Sequence, residues 1–464
     1  MGGVNKGLGN PPPGANLAAL RDHNAALVLG LLRDAGAAGA SRAELAGRTG
    51  LTPQAVSKIC ARLRAAGLAA EAGRRASTGG KPATTWRLVP DAAHAIGLHL
   101  DRDALTATLV DLTGTPVATR TAPLAFGAGA EALLDAVAKE VAALLADAEG
   151  CAAGGPTAGT SPSAVRGTAA ASPCGAPGSR VLAADAREGS SATTGAPGVS
   201  ALAAGEAAPA VPSSPRASGT AHRPLLGVGV AVPGPLDHAS GVLHRVTGFP
   251  EWDGFPLRDA LAERLGMPVV VDKDTNAAAL GLVLRGAGGG APAADSFAYL
   301  HLGTGLGAGL VLGGGVHRGA RTGAGEFGHQ VLQLDGPPCP CGNRGCIEAL
   351  CLDAVAAGGT ARAARLLGVG AANLVRLLDI DLVLLGGRTV LAEPEPYLRG
   401  VRAVLTEDAG RADGRTVPVA VTPGGGRTVV EGAAELALAP LFGRSGTAFT
   451  TRSDETKIVT SGGM

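Results

Sequence analysis

The segment Gly325–Glu348, GEFGHQVLQLDGPPCPCGNRGCIE, holds three of the chain's seven cysteines within eight residues, with a histidine upstream and a glutamate near each end. His329, Cys339, Cys341 and Cys346 supply one nitrogen and three sulfurs in the spacing His-x9-Cys-x-Cys-x4-Cys. Four soft or borderline ligands with no spare position suit a closed tetrahedral zinc site, which holds structure rather than activating water. Pro340, Gly342 and Gly345 allow the tight turns that bring the sulfurs together. The bland alternative is three buried thiols. Cys351 would be one ligand too many and is read as a packing residue, as is Cys60. An odd number of cysteines, three of them bunched, does not read as a disulfide framework.

Working outward, the flanking segments alternate strands and helices. Ala93–Leu124 carries AHAIGLHL, ALTATLVDL and PVATRTAPL, which read as a three-stranded meander with turns at Asp101-Arg102-Asp103 and Thr113-Gly114-Thr115. A helical stretch, EALLDAVAKEVAALLADA, follows. Farther on come the strand LLGVGVAV, closed by Pro233-Gly234-Pro235, and MPVVVD leading into the helix TNAAALGLVL. The strand pair SFAYLHL and GAGLVLG follows, and DLVLLGG and VPVAVTP are interleaved with helices. Strands followed by crossover helices, twice over, predict a two-lobed α/β protein with a cleft between its lobes. Aromatic residues make up only 2% of the chain against 73 glycines, so its core must be built from Val, Leu and Ala in thin layers.

The N-terminal part reads differently. Between Asn16 and Val89 the chain carries 11 Lys and Arg against 4 acids, a balance of +7; with Lys6 also counted, the formal total of +1 leaves −7 for everything after Val89. A basic head on an acidic body suggests a nucleic-acid-binding module joined to a domain that binds something else. In SRAELAGRTGLTPQAVSKICARLRAAGLAAE, Ser41 and Glu44 form a capping box, Gly50 allows the turn, and Thr52-Pro53 opens a second helix. Ala55, Val56, Ile59 and Leu63 make its inward stripe. Gln54, Ser57, Lys58 and Arg62 are left facing out, the residue types that read base edges and grip phosphates in a major groove. The following hairpin, AGRRASTGGKPATTWRL, reads as the wing of a winged helix, with Arg74, Arg75 and Lys81 within reach of backbone phosphates and Trp86 as a packing residue. The alternative is an ordinary helical bundle with a solvated basic face.

Residues 151–222 are of low complexity and contain no Phe, Trp or Tyr. A segment that buries so little cannot offset the roughly 1–2 kcal/mol per residue of ordering entropy, so it is read as a disordered insertion in a surface loop, with Cys151 and Cys174 as unpaired thiols. The polar tail 443–464 is read as flexible. No stretch approaches the apolar run of about 20 residues that spans a bilayer, and Met1–Pro13 has no signal-peptide character, so a cytoplasmic protein is expected.

With these motifs in place, the chain resembles the ROK family, and specifically its winged-helix sugar-responsive repressors of the xylose or N-acetylglucosamine type. The Cys/His segment carries most of the resemblance. LHLGTGLGAGLVLGGGVHRGARTGAGEFGH, AVPGPLDHASGVL, VVVDKDTNAAALG and LGVGAANLVRLLDIDLVLLGG extend it over nearly everything except the spacer and tails. The resemblance implies an N-terminal winged helix-turn-helix, residues 16–90, followed by an actin-like ATPase (ribonuclease H-like) ROK domain, residues 93–442, with a sugar between its lobes. It implies sugar contacts from Glu326, His329 and Glu348, and places Asp274 at the position of the kinase base. Lys273 is a departure, because that position commonly carries an Asn that also touches sugar. His329 would serve twice, with one ring nitrogen on zinc and the other toward the sugar.

The competing reading is an ATP-dependent sugar kinase. The Gly-rich turn GTGLGAGL at 303–310 is weak evidence for it. Kinases of the family resemble one another in an Asp-x-Gly-Gly-Thr turn that admits ATP phosphates, and this chain has His99, Asp101, Arg102 and Asp103 there instead. Two carboxylates would repel phosphate oxygens. The expectation is therefore a regulator rather than an enzyme: a repressor of sugar uptake or catabolism genes, a homodimer or higher homo-oligomer, binding operator DNA and a monosaccharide or sugar-phosphate effector. A second departure is the short run after Glu348, ALCLDAVAAGGTARAARL, which replaces a longer helical section and puts the packing of the second lobe in question.

Overall fold

The computed structural model describes residues 17–75, 83–153, 224–285, 294–411 and 414–443. Lys81, Cys174, all of the spacer beyond residue 153 and the tail from Arg444 lie outside the described residues.

The head begins with helix α1 (Leu17–Ala35), a short strand β1 (Ala40–Ser41), and the helices α2 (Arg42–Thr49) and α3 (Pro53–Ala65). Strands β2 (Ala69–Arg75) and β3 (Ala83–Leu88) follow, and β3 lies between β1 and β2 in one sheet. Local chemistry sets each boundary. Ser41 Oγ accepts from the Glu44 N–H while the Glu44 carboxylate accepts from Ser41 N, and Gly50 ends α2 at φ +70°. Thr52 Oγ1 accepts from Ala55 N at the start of α3. Leu45, Val56, Ile59, Cys60 and Leu63 are buried together with Trp86, as helix-turn-helix packing requires, whereas Ala55 is only half-buried. This core does not stop at the head. It continues through Ala93, Ala95, Val110 and Leu112 to Ala434, Leu438 and Phe442 of the body.

The first lobe is the expected meander β4 (His94–Leu100), β5 (Ala104–Asp111) and β6 (Pro116–Pro123), followed by α4 (Ala130–Ala153). Cys151–Ala153, assigned to the spacer from composition, instead complete α4, where alanine is a strong helix former. Then come β7 (Leu225–Val232), the hairpin β8 (Leu236–Asp237) and β9 (Val242–Leu243), α5 (Leu257–Leu265), β10 (Val269–Lys273) and α6 (Asp274–Leu284). The sheet runs β10-β7-β4-β5-β6, with β7 parallel to both β4 and β10.

The second lobe opens with β11 (Phe297–Leu302), β12 (Leu306–Leu312) and β13 (Gly315–Val316), and the Cys/His segment leads into α7 (Ile347–Ala356) and α8 (Thr360–Leu378). It closes with β14 (Leu382–Gly386), α9 (Arg388–Ala392), α10 (Pro394–Arg411) and β15 (Val419–Val421), giving the sheet order β13-β12-β11-β14-β15. The short run after Glu348 still contributes to the core: its Ala363 and Ala364, with Leu367 and Ala371 farther along α8, share one core with Val401 and Leu405 of α10. The last helix, α11 (Thr428–Leu438), returns to the first lobe and lies on its sheet. It gets close because its contacts are small: a Cβ on Gly229 would sit 1.8 Å from Ala433 O, and one on Gly432 would sit 2.0 Å from Ala277 O of α6. Among the described residues no helix is long and apolar enough to cross a membrane.

Candidate functional site

Asp274, Glu326, His329 and Glu348, separated by up to 74 positions in sequence, line one cleft together with Asp101, Lys273 and Thr304. Asp274 is delivered by the end of β10, where the chain turns into α6; its Oδ1 accepts from Thr275 N at 2.6 Å. Glu348 sits in the first turn of α7, where the helix dipole favours a carboxylate. It is buried, and its Oε2 accepts from Leu306 N at 2.8 Å, which joins the Cys/His segment to the start of β12. Glu326 is 41% exposed and faces the Lys273 ammonium, which is 4% exposed and 3.0 Å away. Lys273 Nζ also donates to Ala324 O.

The segment that carries Glu326 and Glu348 folds around its sulfurs. The ligand atoms of His329, Cys339, Cys341 and Cys346 all lie within 4.8 Å of one another. Cys341 Sγ is 3.7 Å from Cys346 Sγ, and Cys339 Sγ is 3.8 Å from His329 Nδ1. The sulfur–sulfur separation is too long for a disulfide of about 2.05 Å, and it matches the roughly 3.8 Å between sulfurs held at about 2.3 Å around a tetrahedral metal. The donor set therefore fits a metal ion. With His329 Nδ1 turned to the sulfurs, the ring's other nitrogen is left for the cleft that His329 lines. Gly345 makes the turn possible at φ +64°, since a Cβ there would lie 1.6 Å from Gln333 O. Cys351 stays out of the cluster. It is buried against Ala363 O, and burial, with Glu348 nearby, pushes its thiol up to about 12.

The β4–β5 turn forms one end of the cleft. Asp101 Oδ1 accepts from Thr304 Oγ1 at 3.0 Å, and Asp103 is paired with Arg388 of α9 at 2.8 Å, so this turn of the first lobe is tied twice to the second. Arg102 lies over the Phe249 ring at 5.9 Å. The repulsion expected from two bare carboxylates is thus reduced, because Asp103 is neutralised; what fills the turn is side chains and lobe-to-lobe bonds. Burial resists ionisation of Asp101, but His99, the Arg102 N–H and Thr304 outweigh it and hold its carboxyl below the ordinary range. Burial pushes His99 below its ordinary value, more than Asp274 and Asp101 pull it up.

Sequence reasoning missed His301 and Thr304. His301 lines the cleft, and its Nδ1 is 2.9 Å from the Tyr299 hydroxyl, a phenol whose pKa burial raises. The signal was present: Tyr299 and His301 are two apart in a strand and so share a face.

In the head, Gln54 and Lys58 of α3 are exposed, as is Arg74 on β2. Ser57 is half-buried, and its Oγ donates to Pro53 O at 2.8 Å. Arg62 departs from its expected role: it is half-buried, and its guanidinium donates to Arg21 O of α1 at 3.3 Å. Arg75 closes β2.

Residues 216–356, which include the Cys/His cluster and all four cleft residues, match the model of the ROK family. The chain carries a ROK-family domain. Two curated relatives that match this region differ in their names. A glucokinase of Halalkalibacterium halodurans is 41% identical over 125 residues, 27% of this chain and 37% of that protein. A putative xylose repressor of Caldicellulosiruptor sp. is 30% identical over 205 residues, 35% of this chain and 50% of that protein. The matched part thus spans between 37% and 50% of these relatives' lengths. A solved ROK family transcriptional regulator, a homolog of the E. coli MLC protein, aligns with a TM-score of 0.64 at 18% identity, covering 92% of this chain and 98% of its own. That likeness bears on the fold, head included.

Proposed function

We propose that this ROK protein is a DNA-binding transcriptional regulator, a repressor of sugar uptake or catabolism genes, whose cleft takes a monosaccharide or sugar-phosphate effector. Asp274, Glu326, His329 and Glu348 are the sugar contacts in this reading. Carboxylates accept hydrogen bonds from adjacent hydroxyls, and a site built to pair those donors rejects analogues that lack them. A structural zinc held by His329, Cys339, Cys341 and Cys346 fixes the two ends of the segment that presents Glu326 and Glu348, and no chemistry passes through it. Gln54, Ser57, Lys58, Arg74, Arg75 and Lys81 are the DNA contacts, with Arg62 acting from its position against α1. Binding at a palindromic operator calls for a homodimer, and the setting is cytoplasmic.

The observation that supports a regulator over an enzyme is the Asp103–Arg388 pair with the Asp101–Thr304 bond. Together they occupy the turn that the resemblance assigns to ATP phosphates. Asp274 then serves as a hydroxyl acceptor rather than a base.

The second reading, an ATP-dependent sugar kinase, is favoured by the similarity to glucokinases and by the presence of Asp274 itself. A thermal-shift panel of D-glucose, D-xylose, N-acetylglucosamine, their phosphates and MgATP separates the two, since a ligand of the folded state raises its melting temperature. A regulator is stabilised by a sugar without ATP, and that sugar changes its affinity for a duplex selected from a random pool. Stabilisation by MgATP with glucose-dependent release of ADP establishes the kinase.

A further inference from the structure

A chain of paired charges, built on two buried carboxylates, joins the head to the body far from the cleft. Arg33 of α1, with its side chain 9% exposed, makes a two-pronged pair with Glu435 of α11, which is fully buried; Arg33 Nη1 lies 2.8 Å from Glu435 Oε2 and Nη2 contacts Oε1. Arg33 Nε donates to Thr113 O at 3.1 Å, and its guanidinium lies 4.8 Å from the centre of the Phe442 ring. One helical turn earlier on α11, Glu431 is 4% exposed and is shared by Arg285, at the end of α6, and Arg427, whose Nε is 2.8 Å away. Arg285 Nε is also only 3.7 Å from Glu435 Oε1.

Three arginines thus serve two buried carboxylates, and each carboxylate has two arginines within reach. A buried carboxylate left alone costs several kcal/mol, so Glu435 releases Arg33 only when another cation replaces it. Arg285 is that cation. If Arg285 shifts from Glu431 to Glu435, Arg427 still neutralises Glu431, and the arginine left over is Arg33 on the head. Both arrangements keep every buried carboxylate paired, and they differ in whether α1 is held.

The element that moves Arg285 starts in the cleft. Helix α6 begins at Asp274, runs 11 residues, about 16 Å, and ends next to Arg285. It packs on α11 backbone to backbone at Gly432, without side chains to cushion a shift, and close-packed interiors transmit small displacements rather than absorb them. We propose that Arg33, Glu435 and Arg285 form a two-position latch in which a sugar bound at Asp274 shifts α6, moves Arg285 onto Glu435 and frees α1 with its DNA-binding head. This rests on the reading of the cleft as a sugar site and adds the route by which the head is told of it.

The test uses the full chain with zinc bound, and hydrogen exchange at the amides of α1. Arg285→Met removes the replacement cation, so Glu435 keeps Arg33. Exchange at α1 in the sugar-free variant should slow at least fivefold relative to wild type, the opposite of what loss of a merely stabilising charge would do. Adding the sugar that scores in the thermal-shift panel should speed α1 exchange in wild type but not in the variant. Unchanged or faster α1 exchange in sugar-free Arg285→Met overturns the latch. Should that variant fail to fold, Arg33→Lys keeps the charge but forfeits the two-pronged pair, and without sugar it should move duplex affinity at least threefold toward the sugar-bound value; no change overturns the latch. If wild type binds sugar and duplex with no mutual effect, the regulator reading itself fails, and the latch goes with it.

Discussion

The ammonium of Lys273 and the carboxylate of Glu326 lie 3.0 Å apart at the cleft, one almost fully buried and the other 41% exposed. Glu326 is the more accessible partner, and a sugar hydroxyl that bonds to it competes with an ion pair already in place. Lys273→Asn should therefore tighten binding of a neutral monosaccharide about two- to fivefold, the equivalent of the roughly 0.5–1 kcal/mol that a partly exposed pair contributes. Isothermal titration of the wild type and variant with one sugar checks this; weaker binding by the variant would mean that Lys273 itself touches the ligand.

Removal of one sulfur should separate the brace from the head. Cys339→Ala leaves three ligands, and elemental analysis should find at least half of the bound zinc lost. Sugar affinity should fall about 10- to 100-fold, the usual scale when the support of a metal-held group is removed. Affinity for a selected duplex without sugar should stay within about twofold, because Val56, Ile59 and Leu63 of α3 and Trp86 of β3 pack in the head's own core, whereas Cys339 and Cys346 form a separate cluster with Ala349. Equal losses in both would show that the cluster holds the whole fold rather than the cleft.

What was legible in the sequence was local. Ser41 caps Glu44 and Thr52 caps Ala55, each across three residues, and the four metal-type ligands fall within eighteen positions, so spacing alone carries the geometry. The longer strands of both lobes followed from their apolar runs, whereas the two-residue strands β8, β9 and β13 did not. The hidden features depend on residues far apart. Arg33 meets Glu435 across 402 positions and Arg388 meets Asp103 across 285, and nothing in the local pattern of either partner marks it as one of a pair. Arg62 looked free because a helical wheel shows which face is polar, but not that α1 crosses over that face and offers Arg21 O. The packing of the shortened run after Glu348 was hidden for a similar reason: Gly400 lets α10 approach Ala364 of α8 so closely that a Cβ there would lie 2.5 Å from the alanine's own.

Lys58 and Arg62 of α3 should behave differently on DNA. Lys58 is exposed and has no partner among the hydrogen bonds and ion pairs of the described residues, so Lys58→Ala should lower the salt dependence of duplex binding by about one phosphate contact, with little effect on the melting temperature. Arg62 is tied to α1, so Arg62→Ala should lower the melting temperature by a few degrees along with its effect on affinity. Salt titrations of fluorescence anisotropy and thermal melts of both variants check the contrast. Equal salt slopes for wild type and Lys58→Ala would remove that residue from the interface.

His99 sets a pH dependence whose sign follows from its surroundings. Burial holds its pKa below the ordinary 6.5, against the pull of Asp274 and Asp101, so the folded chain refuses a proton that the unfolded chain accepts. Above 6.5 both states are neutral there and nothing is lost; as pH falls through 6.5 the unfolded state gains a proton and stability drops, until the folded pKa is reached. The slope can reach about 1.4 kcal/mol per pH unit for one proton. Asp101, held below 3.8, adds its own loss only in far more acid solution, so the two windows do not overlap at their upper ends. With zinc in excess, melting temperatures of wild type should decline between pH 6.5 and 5 more steeply than those of His99→Gln, and parallel curves would show that the histidine is protonated in the fold.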